Sequence, residues 1–149
     1  MSQAISADDR FAINDLLMAY AKASDTGHVQ GFVDVFAADG ILYGSNGELY
    51  AGHDGIRRFA TEQCSPVDTR GRMHFFQQMT ITREGERCRV FSFWMVVQST
   101  AKDNTRRIRS TGSCDDLVEK GSDGRWLFRE RRIARWNDET APWHYPSSI

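Results

Sequence analysis

Apolar residues at Ile13, Leu16, Leu17 and Tyr20 fall three and four apart, the spacing of one face of an α-helix. Ser6 suits the N-cap, Asp8 and Asp9 suit the first turn, and Gly27 suits the stop, so a first helix is expected to run to about Ser24. Val29, Phe32, Val33 and Phe36 repeat the spacing and predict a second, short helix over 28–37, ended by Asp39-Gly40. A strand over 41–43, an Asn46-Gly47 turn and a return strand over 49–51 read as a small hairpin. Ile56, Phe59 and Ala60 mark the inner face of a third helix over 53–63, with Ser65-Pro66 closing it and a polar loop over 67–71. Beyond that loop long strands take over. Four are expected, over 73–82, 87–100, 105–120 and 125–136, separated by turns at 83–86, 101–104 and 121–124. The tail, 137–149, holds Pro142 and Pro146 and no periodicity, while its Trp143 and Tyr145 suggest packing against something, such as a neighbouring subunit.

Helices first and strands afterwards is the order of an α+β fold, with helices on one face of a mostly antiparallel sheet. The expected architecture is a cone-shaped α+β barrel, three N-terminal helices on a strongly curved sheet, as one domain over 1–149 with 137–149 as tail. A cone has a mouth, and ligands occupy such concave, mostly apolar pockets.

Composition narrows the function classes. At 40% hydrophobic and 26% charged residues the chain has the balance of a soluble globular protein, and a net charge of -1 gives no electrostatic case for nucleic acid or an anionic membrane. Three cysteines, Cys64, Cys88 and Cys114, without a CxxC pair, argue against a disulfide framework or a structural zinc site. His28, His53, His74 and His144 show no paired ligand spacing, so no metal is implied, and no phosphate loop or nucleotide fingerprint is present, so no cofactor is expected. The first ten residues lack the pattern of a signal peptide and the longest apolar run is too short to span a bilayer, which makes the cytoplasm the expected location.

One residue breaks a local rule. Asp25 stands where the first helix runs out, near the negative end of the helix dipole, where a cation is preferred. A solvated helix end explains this blandly; a functional site explains it as a tolerated cost.

The segment Arg10-Phe11-Ala12-Ile13-Asn14-Asp15-Leu16-Leu17 is followed by Asp25-Thr26-Gly27, Phe36-Ala37-Ala38-Asp39-Gly40 and Gly52-His53-Asp54-Gly55-Ile56. Gly112, Asp115, Asp123-Gly124-Arg125-Trp126 and Arg131 complete the set. In this order the motifs resemble the SnoaL-like branch of the nuclear-transport-factor-2-like superfamily, near scytalone dehydratase and the bile-acid dehydratase. The resemblance implies an Asp and a His that meet in the cone, here Asp25 and His74, with Tyr20 as a third catalytic candidate. It also implies Asp115 and Arg131 as pocket groups, and Tyr43, Phe76 and Trp94 are expected to wall the pocket. The second histidine of scytalone dehydratase has no counterpart near residues 98–100.

The implied chemistry is removal of a proton and loss of a leaving group. Imidazole titrates near neutrality, which suits a general base, and a carboxylate on its other nitrogen fixes the tautomer. Tyr20 could hold a substrate carbonyl as it becomes an enolate. Tyr20 and Asp25 are five residues apart, about 140° beyond a full turn, so they share a face only if the helix ends or bends before Asp25. The expected activity is therefore a cofactor-independent, dehydratase-like lyase acting on a small cyclic hydrophobic ligand, in a homo-oligomer, dimer or trimer. The alternatives are a non-catalytic binding or interaction module on the same fold, or an isomerase or hydrolase of the superfamily.

Overall fold

The computed structural model describes residues 4–64, 71–100 and 105–137. The expected stop at Ser65-Pro66, most of the loop after it, the turn over 101–104 and the aromatic tail beyond residue 137 lie outside the described residues. The elements are α1 (Ala7–Thr26), α2 (Val29–Asp34), β1 (Phe36–Tyr43), β2 (Leu49–Ala51), α3 (Gly52–Gln63), β3 (Arg72–Glu84), β4 (Arg87–Thr100), β5 (Thr105–Lys120) and β6 (Trp126–Arg135). One six-stranded sheet runs in the order β2-β1-β6-β5-β4-β3. Its pairings are antiparallel except β1 with β6, which is parallel. The fold is the α+β cone: three helices against a curved, mostly antiparallel sheet.

α1 begins as its sequence implies. The Ser6 side chain accepts the Asp9 backbone N–H, and Asp8 and Asp9 fill the first turn. Asp9 also accepts from Trp126 Nε1 at 3.0 Å and pairs with Lys120 at 2.8 Å, tying the helix start to the far end of β5 and β6. Ile13, Leu16, Leu17 and Tyr20 are buried along one stripe. Gly27, at φ 70°, ends the helix in the left-handed conformation that glycine adopts without cost.

The second helix is shorter than expected. It ends at Asp34, and Phe36 already belongs to β1, whose Cα partner on β6 is Phe128. The Phe36 ring packs 5.9 Å from Phe32 and 5.3 Å from Phe128, so its burial is satisfied from a strand as well as from a helix. Asp39-Gly40 is not a helix stop but part of β1, between its two stretches of register with β6. A side chain at Gly40 would meet the Phe128 carbonyl at 3.0 Å, so glycine lets the two backbones approach.

Register shifts interrupt β1–β6, β3–β4, β4–β5 and β5–β6. Bulges of this kind bend and twist a sheet, and here they curl it around α1 and α3. On β3 the irregularity lies between Gln77 and Thr80, where Gln78 takes a φ of 52°. Inside the curl an aromatic cluster of Tyr20, Phe32, Phe36, Phe59 and Phe128 forms the core, with Ile13, Leu17 and Val33 around it. No helix among the described residues is long and apolar enough to cross a membrane.

Candidate active site

Asp25 and His74 meet where the last turn of α1 lies against the start of β3. His74 Nδ1 is 2.6 Å from Asp25 Oδ1, and the His74 backbone N–H donates to Oδ2 at 2.7 Å. Both carboxylate oxygens therefore face a donor position of one residue. A ring nitrogen facing an acceptor carries the hydrogen, so in the neutral imidazole the hydrogen sits on Nδ1 and the lone pair on Nε2. Both side chains are largely buried, about one-sixth exposed. α1 continues through Asp25 to Thr26, so Asp25 and Tyr20 project in different directions. The His74 ring bridges the gap: His74 and Tyr20 line one cavity, with Asp25 behind the imidazole.

The cation missing from the last turn of α1 comes from β3. Arg72 donates from Nη2 to the Ser24 carbonyl at 2.6 Å and to Ser24 Oγ at 3.2 Å, and from Nη1 to the Gln63 carbonyl at 3.0 Å. Its Nε lies 3.5 Å from Asp25 Oδ1. One guanidinium thus joins the C-terminal ends of α1 and α3 and sets a positive charge beside Asp25. Sequence reasoning missed Arg72. The available signal was its position two residues before His74, on the same face of a strand.

Arg131 forms the opposite wall. It has no exposed surface, and its guanidinium carbon lies 4.0 Å from the Tyr20 ring centroid, 4.6 Å from that of Phe128 and 5.0 Å from that of Phe76. Nη1 donates to Asp116 Oδ2 at 3.0 Å and Nη2 to Cys114 Sγ at 3.2 Å. Asp116 Oδ1 and Arg131 Nε have no hydrogen-bond partner among the described residues. Burial pushes the Asp116 carboxyl up to about 7, against the pull of Arg131. Burial likewise pushes the Cys114 thiol up to about 12 and raises the Tyr20 hydroxyl, so both stay protonated at neutral pH.

Two expected pocket residues lie elsewhere. Asp115 points to the outer face of β5, half-exposed and paired with Arg89 at 3.0 Å. Its neighbour Asp116 points inward, because successive strand residues alternate faces. Tyr43 pairs in register with Arg132, not Arg131, and its ring lies 3.8 Å from the Arg132 guanidinium, on the side away from the cavity. Phe76 and Trp94 do line the cavity. Trp94 donates Nε1–H to the Ser113 carbonyl at 3.1 Å, and its ring lies across Gly112, where a Cβ would fall 2.5 Å from the indole.

The cavity these residues enclose measures about 100 Å³ and opens to solvent. Among the described residues, no group of three His, Cys, Asp or Glu could hold a metal ion.

An α+β cone with a small, polar-based cavity under its helices defines a class of ligand-handling domains. The chain belongs to the SnoaL-like domain family, whose sequence profile matches residues 6–132. Solved structures agree in fold. Aln2 from a Streptomyces species is 19% identical, with a TM-score of 0.80 over 89% of this chain and 94% of that one. A Nostoc punctiforme protein of unknown function with a cystatin-like fold is 23% identical, with a TM-score of 0.76 over 91% and 97%. A Catenulispora acidiphila protein in complex with S-DNPA is 20% identical, with a TM-score of 0.75 over 87% and 95%. No curated protein matches the chain.

Proposed function

We propose that the cavity is the active site of a cofactor-independent, dehydratase-like lyase. The carrying observation is that Asp25 accepts from both the backbone N–H and Nδ1 of His74. That arrangement leaves Nε2 as a base of fixed tautomer on a residue lining the cavity. In the reaction, Nε2 takes a proton from the carbon next to a substrate carbonyl, and the freed electron pair forms an enolate. The Tyr20 hydroxyl is the donor for its oxygen, with the buried charge of Arg131 against the Tyr20 ring. The enolate collapses, the β-hydroxyl leaves with the proton that His74 returns, and the products are an unsaturated carbonyl compound and water. Phe76 and Trp94 hold an apolar ring in place. The Catenulispora structure of the same fold, in complex with S-DNPA, supports a ligand-handling role.

The test is exchange of α-protons of cyclic β-hydroxy ketones into deuterated water, followed by NMR, alongside appearance of the enone. Exchange and enone formation that vanish in a folded His74→Ala protein are expected. Exchange without enone would make the protein an isomerase-type proton shuttle, and neither activity in the intact protein would make it a binding module.

Assembly belongs to the same proposal. The outer face of β3 to β5 exposes Met73, Phe75, Phe91 and Ile108, and Phe93 packs 5.3 Å from Trp136 beside them. Exposed apolar surface of this extent marks an interface, and a second copy of the chain is the proposed cover. Phe75→Glu is expected to lower the mass measured by sedimentation; a monomeric parent protein refutes the assembly.

A further inference from the structure

The sheet side of the cavity is an apolar floor centred on Trp94. Trp94 packs with Val96 and Cys114, Phe76 and Ile133 lie against them, and all of these line the cavity. In register, Phe76 on β3 faces Trp94 on β4, Trp94 faces Gly112 on β5, and Gly112 faces Arg135 on β6. Cross-strand partners share a face, so these residues form one row across the floor. Gly112 brings no side chain to the row, and the indole lies in the space this leaves. A Cβ at that position would fall 2.5 Å from Trp94 Cζ2 and 2.7 Å from Cε2.

The ring is held in place. Its Nε1–H donates to the Ser113 carbonyl at 3.1 Å, and the side chain is 8% exposed. Turning the indole out of the floor would strip a buried carbonyl of its donor, a loss that folded proteins avoid. Trp94 is therefore a fixed part of the wall and not a flap.

Volume then limits what the floor can receive. A cavity of about 150 Å³ takes up one benzene ring. Here the volume is about 100 Å³, so one ring enters in part and the rest of a ligand extends outward. The exposed lining residues are Ser45, Gln63 and Arg135, and they mark the mouth. A second fused ring would stand among these polar groups, beside solvent. Its apolar surface would stay wet there, without the burial that drives apolar association.

We infer that Trp94, seated across Gly112, is a specificity-determining residue that limits the cavity to single-ring substrates. The inference rests on the cavity being the substrate site and adds a size class to that reading. Glycine makes the limit depend on one residue, because position 112 has no side chain that could move into the place of the indole. An indole is larger than a benzene ring. Its removal would deepen the cavity to the backbone of β5, with room for one more ring.

The experiment titrates the isotope-labelled protein with phenol and 2-naphthol, which differ by one fused ring, and follows the amide signals of Val96, Ser113 and Ile133 by NMR. These amides report on the cavity floor, so binding elsewhere on the protein is not counted. The intact protein is expected to bind 2-naphthol no more than about threefold more tightly than phenol, because the second ring stays in the mouth. Trp94→Ala should raise that preference to about tenfold or more, as fits burial of the second ring. Trp94→Leu should move it in the same direction, so the conclusion stands on either variant if the other fails to fold. A preference that follows residue 94 in a protein that exchanges no α-protons would refute the lyase reading and leave the size limit standing. An intact protein that already prefers 2-naphthol by about tenfold overturns the limit. So does a ratio unchanged in both variants, or an intact protein whose floor amides respond to neither probe.

Discussion

Asp25→Asn separates the orienting role of the carboxylate from any role in packing. The carboxylate meets two donors, the His74 backbone N–H at 2.7 Å and Nδ1 at 2.6 Å. Asparagine offers one oxygen and one NH2 group in the same space. The backbone donor cannot change, so the oxygen turns to it and the NH2 faces the ring. Nδ1 must then accept, and the hydrogen moves to Nε2, the nitrogen needed as base. Loss of one charge-assisted hydrogen bond, partly offset by the neutral one that replaces it, costs about 1–2 kcal/mol. For a chain of this length that lowers Tm by roughly 2–8 °C. Inverting the tautomer costs about 10⁴ in rate in Ser-His-Asp hydrolases, and a loss of similar size is expected here in α-proton exchange. Nitrogen NMR of the imidazole reads the tautomer directly and a thermal melt reads the stability. If the variant keeps its hydrogen on Nδ1, or exchanges α-protons within about tenfold of the parent, the orientation argument is wrong.

Asp116 gives a pH dependence. Its carboxyl is held at about 7 in the fold against 3.8 ordinarily, so between these values the folded chain keeps a proton that the unfolded chain has released. Stability should therefore fall as pH rises through this window, by at most about 1.4 kcal/mol per pH unit, and Asp116→Asn should flatten the trend in urea midpoints. Gly112→Ala places a methyl group 2.0 Å from the Ala134 carbonyl and 2.5 Å from the Trp94 ring, and should cost about 3 kcal/mol or more in chemical denaturation while displacing the indole from the cavity wall. Arg72→Met strips the donors from the Ser24 and Gln63 carbonyls; a loss of about 2–4 kcal/mol is expected, with faster amide exchange at the ends of α1 and α3.

How far the site could be read from the chain depends on the kind of signal. Ser6, Gly27 and the stripe from Ile13 to Tyr20 are local, and they mark α1 to within two residues. The expected bounds of β4 and β5 match because charged or polar turns bracket long β-prone runs. Phe36 misled because its spacing from Phe32 suits a helix, while its actual partner is Phe128, 92 positions on (128 − 36). Propensity gave way to a contact that no local window contains. Asp115 and Asp116 show a subtler limit. A strand's period is readable, but its phase is not when Cys114, Asp115, Asp116, Leu117 and Val118 leave both faces plausible. The register shift between Leu117 and Val118 blurs that phase further. The Asp25–His74 contact spans 49 residues and entered through family resemblance; nothing local to either residue contains it.

The carboxylates of Asp25 and Asp116 bear on what the cavity can do. Asp25 lies behind His74 with Arg72 beside it, and Asp116 lies behind Arg131. In each case a carboxylate supports a nitrogen base or cation, and the supported group faces the cavity. Desolvating these charges is expensive, and their pairing is incomplete, since Asp116 Oδ1 and Arg131 Nε lack partners among the described residues. A hydrophobic replacement of Asp116 and Arg131 together could therefore match or exceed the native stability. What it could not supply is a cationic wall facing an imidazole base. In the proposed reaction, negative charge that develops on a bound oxygen would be met by the fixed Arg131 charge behind the cavity wall. Under the proposed function, the cost carried by the Asp116–Arg131 pair serves chemistry on an electron-rich oxygen, since folding alone does not require it.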